Sequence, residues 1–299
     1  MPDIKTILVT GSSGQLGQSL SSIAGDYSDY VFTFSSRDEL DLSDEASIDN
    51  FFKHHQFDLI INCAAHTAVD KAESEPELAN QINHLAIKQL ANIAKQQNTK
   101  FIHISTDYVF DGKLYRPYIE TDEVAPQSVY GETKLKGEQA LLATMPNNAL
   151  IIRTSWVYSE FSNNFVKTML RLGKERDALN VIFDQVGTPT YANDLAEAIM
   201  AMVENESVNQ SSFESELYHY SNEGVCSWYD FAKAIFEYRN INCDVSPIET
   251  KDYPTPATRP HYSFLNKAKI KRCFNLSIPY WKDSLQHCLK KLAQQEPAS

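Results

Sequence analysis

At 299 residues the chain is long enough for one large α/β domain with a smaller appendage, or for two modest domains. Its 42% hydrophobic and 22% charged residues exclude a disordered chain. A net charge of −12 speaks against nucleic acid as a partner, because phosphate backbones need a basic face. A small phosphorylated ligand stays open, since backbone N–H groups and one or two local cations can hold it.

Thr6–Thr10 is β-branched and brief, and Gly11 ends it at once, as in a buried parallel strand. Helical spacing follows from Leu16 to Ala24, then a second strand over Tyr30–Phe34. Ser43 is placed to cap a helix through Ile48, Phe51 and Phe52. Leu59–Asn62 reads as the third strand, and Glu77–Gln97 as one long helix with an Ala/Ile/Leu stripe. Phe101–Ile104 and Leu150–Arg153 are further strands, separated by a helix from Tyr130 to Leu142. Such alternation predicts a Rossmann-type, doubly wound parallel sheet covered on both faces.

After Thr154 the character changes. Helices over Asn164–Leu172, Asn193–Val203, Trp228–Tyr238 and Pro279–Leu292 are joined by irregular segments, with polar clusters at Val208–Glu216 and Thr250–Pro260. The reading is a dinucleotide-binding domain over 1–155 and a smaller, mainly helical substrate lobe over 156–299. Segments around 180–205 return to the first domain, with Val181–Phe183 rejoining the sheet.

Five cysteines (Cys63, Cys226, Cys243, Cys273 and Cys288) are odd in number and lack CxxC spacing, so they read as reduced thiols. The chain opens on a strand pattern rather than a leader, and no apolar run approaches the ~18–20 residues of a membrane helix. A cytoplasmic protein with no membrane partner is expected.

Gly11, Gly14 and Gly17 lie between the first strand and the first helix. Gly11 suits a tight turn, Gly14 lets backbone approach a pyrophosphate, and Gly17 lets the helix pack closely on the sheet. The spacing is GxxGxxG, one residue longer at its first step than GxGxxG. Its place directly after a buried strand favours a dinucleotide site over a merely flexible loop. At the tip of strand two, Ser35-Ser36-Arg37 offers hydroxyls and a cation where an acid would bind a free ribose 2′-hydroxyl. Ser36 and Arg37 therefore favour NADPH, with NADH as the alternative; a solvated Arg37 is the competing reading.

Tyr130 and Lys134 are four residues apart on one helical face. A ketone that gains hydride becomes an alkoxide and needs a proton. A phenol with a pKa near 10 gives one readily only beside a cation that stabilises its anion. Alone, YxxxK describes many surface pairs. Here it follows a strand ending Ile104-Ser105-Thr106-Asp107, and ligands of open α/β sheets collect at the carboxyl ends of the strands. Thr106 would hydrogen-bond the substrate carbonyl.

Gly11–Gly17, Ser105–Phe110, the Tyr130/Lys134 pair and Arg153–Tyr158 together resemble the extended short-chain dehydrogenases/reductases. Within that superfamily the chain is most similar to the dTDP-4-dehydrorhamnose reductase family. Asn62–Glu73, Asn163–Phe165, Asp184–Thr190 and Tyr253–Pro260 extend the likeness over essentially the whole chain. The resemblance implies NAD(P)H-dependent reduction at C4 of dTDP-4-dehydro-L-rhamnose, with Tyr130 as proton donor, Lys134 as its activator and ribose ligand, and Thr106 on the carbonyl. Gly14, Gln15, Leu16, Asp41, Leu42, Ala64, Ala65, Thr67, Tyr130 and Lys134 would face the cofactor. Thr106, Asp107, Tyr108, Tyr130, Trp156 and Asn164 would line the sugar-nucleotide site, with Arg259 on its diphosphate. Some members form a dimer around a magnesium ion held by glutamates. This chain has Ser19 and Asn193 near the matching places, so magnesium is not expected to drive assembly, and monomer or homodimer stays open.

Other features read as structural. His54-His55 ends a helix, His66 and His103 read as satisfied histidines near the site, and no Cys/His cluster has zinc spacing. Cys63 is expected to pack, Glu132 and Glu138 to face solvent, and Trp228, Tyr229 and Phe231 to lie in the core. Two alternatives remain: an epimerase or dehydratase that recycles its hydride, and a non-enzymatic regulatory subunit on the same fold. Dehydration would want a carboxylate pair beside Thr106, where Asp107 supplies one acid.

Overall fold

The computed structural model describes residues 4–295. Thr6–Thr10 (β1) enters the loop that starts Gln15–Ile23 (α1), and Val31–Ser35 (β2) pairs in parallel with β1. Glu45–His54 (α2) is capped by Asp44, whose carboxylate accepts from Ala46 N–H, one residue after the expected cap. Ser43 instead gives its hydroxyl and its amide to Asp41. Leu59–Asn62 (β3) lies on the other side of β1. Val69–Ser74 (α3) is an unforeseen helix in the loop after β3.

The expected long helix is present in three pieces: Pro76–Asn80 (α4), one π-helical turn over Gln81–Leu85, and Ala86–Gln97 (α5). Pro76 starts it, as suits a residue with no amide donor. The π turn holds Asn83, whose side chain accepts from His66 N–H and donates to His66 O and Thr133 Oγ1. A wide turn therefore ties the loop after β3 to the helix that follows.

Lys100–Thr106 (β4), Val129–Thr144 (α6) and Ala149–Thr154 (β5) complete the predicted alternation. Beyond them come Val157–Tyr158 (β6), Phe165–Glu175 (α7), Ala178–Ile182 (β7), Val186–Gly187 (β8) and Thr190–Tyr191 (β9). Ala192–Val203 (α8), Glu216–His219 (β10), Cys226–Ser227 (β11), Trp228–Arg239 (α9), Asp244–Ile248 (β12), Ala268–Phe274 (α10) and Trp281–Gln295 (α11) follow.

The central sheet is six-stranded and parallel, in the order β2–β1–β3–β4–β5–β10. Val181–Phe183 does not rejoin it: β7 pairs with β12 in a separate two-stranded ribbon, and β10 is the sixth strand. The reason is legible in burial. β7 alternates exposed and buried residues, as a ribbon with one solvated face must, whereas β5 is buried throughout. α8 packs Leu195, Ile199 and Val203 with Leu16 and Leu20 of α1.

Alternate residues of each strand feed two cores. Ile7, Val9, Ile61 and Ile152 pack beneath α1, α8 and α10, while Leu8, Ile60, Phe101 and Ile151 pack beneath α2, α5 and α6. A third core is built from α7, α9 and α11 around Phe231, Ile235, Trp281 and Leu285. The sheet winds away from β1 in both directions. The crevice at the carboxyl ends of β1 and β3 is therefore the switch point at which such sheets take ligands.

Candidate active site

A cavity of about 920 Å³ opens at that switch point and runs from the glycine loop to the lobe. Gly11 sits at φ +66°, and a Cβ there would lie 2.7 Å from the Ala64 amide nitrogen. A Cβ on Gly17 would meet Gly11 O at 2.4 Å and Ser12 Cα at 2.6 Å. Both clashes are with backbone, so the loop keeps its path only with glycine. Gly14 caps α1 without a side chain, which leaves the first-turn N–H groups free for an anion. These features are what a dinucleotide diphosphate requires.

Gln15, Leu16, Asp41, Leu42, Ala64, Ala65 and Thr67 all line the cavity. Gln15 also grips the lobe: its amide donates to Val157 O at 3.1 Å, and its carbonyl accepts from Ser159 and Asn164. Arg37 lines the outer end, 69% exposed and bonded through Nε to Asp41 at 3.2 Å. Ser36 is outside the lining, and its N–H donates to Glu39. The two residues grouped at the strand tip are thus separated by the turn.

Ser128 caps α6 by accepting from Gly131 N–H, so the helix begins just before Tyr130. Tyr130 and Lys134 both line the cavity. Lys134 is 1% exposed; its Nζ donates to Ile104 O at 2.6 Å and lies 3.3 Å from His103 Nε2. Burial pulls its pKa down to about 8, opposed by Glu138 and then Cys63. Burial and the nearby ammonium hold His103 well below the usual histidine range, so it is neutral. Burial pushes Tyr130 up to about 12, a hydrogen bond with Thr106 acting against the rise.

Thr106 ends β4 and caps the short turn after it, accepting from Tyr108 N–H and donating to Asp107 Oδ1 at 3.1 Å. To polarise a carbonyl its hydroxyl must turn away from Asp107. Asp107 is buried, its pKa pushed up to about 6, with hydrogen bonds from Ser263 and Thr106 resisting. Tyr108 packs edge-on against Tyr130, ring centroids 5.4 Å apart.

On the lobe side Trp156 holds a left-handed φ of +49°, and its ring stacks on Trp228 at 3.6 Å. A Cβ on Gly187 would press on the Trp156 ring at 3.1 Å. Trp228, expected in the core, is therefore a wall of the cavity, beside Phe165. Asn164 lines the same wall and caps α7. Arg259 is not in the lining: it forms a bidentate pair with Asp70 of α3, at 3.0 and 2.7 Å.

The sequence matches the RmlD substrate binding domain family over residues 5–294. The chain belongs to that family. It is 40% identical to the dTDP-4-dehydrorhamnose reductase of Aggregatibacter actinomycetemcomitans over 288 residues, which is 94% of this chain and 97% of the relative. The fold is similar to the crystal structure of a dTDP-4-dehydrorhamnose reductase from Clostridium acetobutylicum, with a TM-score of 0.89, 40% identity, and coverage of 96% and 99% of the two chains. The Bacillus anthracis dTDP-4-dehydrorhamnose reductase, solved in complex with NADP, has a TM-score of 0.89 and 36% identity over 96% and 99% of the chains.

Within this family member, Glu138, Trp228 and His66 also depart from the sequence expectation. Glu138 is 2% exposed rather than solvated, and it takes both carboxylate oxygens to Arg153. Its four-residue spacing from Lys134 was the available signal. Trp228 is the first residue of a helix whose capping box, Ser227 and Asp230, sets it at the cavity rim. His66 Nε2 lies 3.5 Å from Glu75, while its Nδ1 is buried without a hydrogen-bond partner. Cys63 also lines the cavity; burial raises its pKa to about 12, so it is a thiol and no nucleophile. Ser19 is buried and Asn193 donates to Glu197 at 2.8 Å. Among the described residues no three His, Cys, Asp or Glu side chains form a metal cluster, and no helix is long and apolar enough to cross a membrane.

Proposed function

We propose that this protein reduces the C4 ketone of dTDP-4-dehydro-L-rhamnose to dTDP-L-rhamnose, with NADPH as reductant and NADH as a poorer or equal alternative. The observation that carries the reading is the convergence of Tyr130, Lys134 and Thr106 on one cavity that begins at the glycine loop. The family membership supplies the substrate class. A nicotinamide dinucleotide, when bound there, would supply the hydride. Gly11, Gly14 and Gly17 with the first turn of α1 would hold its diphosphate, and Arg37 would meet a 2′-phosphate.

The rest is the chain's own chemistry. As C4 gains hydride its oxygen gains charge, and Thr106 donates to it while Tyr130 transfers the phenolic proton. Phenolate in a site that raises Tyr130 to about 12 would be costly, and the Lys134 ammonium offsets that cost. Asp107, Tyr108, Trp156 and Asn164 orient the sugar nucleotide, with Trp228 as a further wall. Arg259 reaches the diphosphate only by leaving Asp70. Residues 1–155 together with α8 and β10 form the cofactor-binding part, and the remainder mainly the substrate lobe. The five free cysteines accord with a cytoplasmic enzyme, acting as a monomer or homodimer without magnesium.

The test is loss of NADPH absorbance on mixing with dTDP-4-dehydro-L-rhamnose, alongside UDP- and other dTDP-4-keto sugars. One oxidised cofactor released per substrate supports reduction. Conversion without net oxidation supports an epimerase or dehydratase, and cofactor binding without turnover supports a regulatory subunit.

A further inference from the structure

Tyr130, Lys134 and Glu138 are spaced four residues apart and share one face of α6. The first two line the cavity, and the third lies behind it. Glu138 Oε1 accepts from the Ser105 hydroxyl and from Arg153 Nε at 2.9 Å, and Oε2 accepts from Arg153 Nη2 at 2.6 Å. One carboxylate thus joins the helix to β4, beside Thr106, and to β5. Buried ion pairs are poor sources of stability, because apolar side chains of equal volume do as well. A charge pair at this place needs another reason.

Lys134 provides it. Its two close partners, Ile104 O and His103 Nε2, carry no negative charge. The titratable groups that act on it or touch it are Glu138 on its own helix, Cys63 at the end of β3 and His103 on β4, with Tyr130 one turn away. Burial keeps Cys63 a thiol and His103 neutral. Glu138 itself faces Lys134 and Arg153, and beyond Arg153 lie His219, held neutral by burial, and Glu120.

We propose that Glu138 is a positioning residue for the reduction: its carboxylate is the counter-charge of the Lys134 ammonium, and its bonds to Ser105 and Arg153 hold α6 in register with Thr106. The inference rests on the reading of Lys134 as activator of Tyr130. It agrees with the balance at Lys134, where burial lowers the pKa to about 8 and Glu138 is the larger of the two influences that hold it up.

The experiment compares Glu138→Gln, Arg153→Met and the double variant Glu138→Gln/Arg153→Met. The first readout is the pH titration of the Lys134 13Cε shift in cofactor-free enzyme, assigned by its loss in Lys134→Met. The second is the pH profile of kcat/KM. Without the carboxylate, Lys134 should titrate about one unit lower in both Gln-containing variants. Activity at pH 9, normalised to pH 6, should then fall about tenfold below wild type. Arg153→Met keeps the carboxylate, so Lys134 should titrate at the wild-type value or above. Should Glu138→Gln not fold because Arg153 is left unpaired, the double variant, with both charges gone, decides. A wild-type titration in the double variant overturns the inference, as does an equal fall in Arg153→Met. A titration that moves while the rate profile stays would uphold the hold of Glu138 on Lys134 and refute the part of Lys134 in the rate.

Discussion

Replacing Tyr130 by phenylalanine removes one oxygen and keeps the ring. The edge-on packing against Tyr108, at 5.4 Å between centroids, survives, and the hydrogen bond with Thr106 is removed. Losing a general acid typically costs 10²- to 10⁴-fold in rate. At about 1.4 kcal/mol per factor of ten, that is roughly 3 to 5.5 kcal/mol in the barrier. The upper part of the range is expected here. Tyr130 is buried, and Asp107, which accepts from Thr106 and has a pKa of about 6, is mainly a carboxylate with no proton to give at neutral pH. NADPH affinity should fall by no more than about fivefold, the worth of one neutral hydrogen bond of about 1 kcal/mol. The assay is single-turnover reduction of dTDP-4-dehydro-L-rhamnose, with NADPH titrated separately by fluorescence. A Tyr130→Phe enzyme whose single-turnover rate stays within a factor of three of wild type would refute the assignment of the proton.

For the wild-type enzyme, kcat/KM should be level below pH 8 and decline about tenfold per unit above it, since Lys134 is an ammonium below its pKa of about 8 and loses that charge as pH rises; a profile still level at pH 9.5 would contradict the role of Lys134. Gly17→Ala should weaken NADPH binding by at least about tenfold, because its Cβ would meet backbone at 2.4 and 2.6 Å and neither atom can yield alone; calorimetric titration checks this, and unchanged affinity would remove the tight-packing argument. Arg37→Ala should raise KM for NADPH and leave KM for NADH nearly unchanged, because the side chain is 69% exposed and anchored by Asp41 alone among carboxylates; equal effects on both cofactors would exclude a 2′-phosphate contact.

The alternation of strands and helices, the glycine loop, and the Tyr130/Lys134 pair at the end of a strand-rich half were all legible in sequence. Each depends on local rules: strand burial shows as apolar runs, close backbone approach as glycine, and a shared helical face as a spacing of four. Tertiary structure decided what depends on neighbours distant in the chain. β7 could not be told from a sheet strand until its partner β12, 66 residues on, was in place, and β10 carried too little apolar character to declare itself. Glu138 resembled any solvated helix carboxylate because Arg153, which buries it, lies on a strand beneath. Trp228 looked like core because the ring it stacks on, Trp156, comes from a left-handed residue on another element. Arg259 matched a diphosphate ligand in sequence, whereas the fold brings Asp70, 189 residues earlier, within bidentate reach. A periodicity reports only which face a residue takes on its own element, and the charge or ring that meets that face is chosen by how the elements pack.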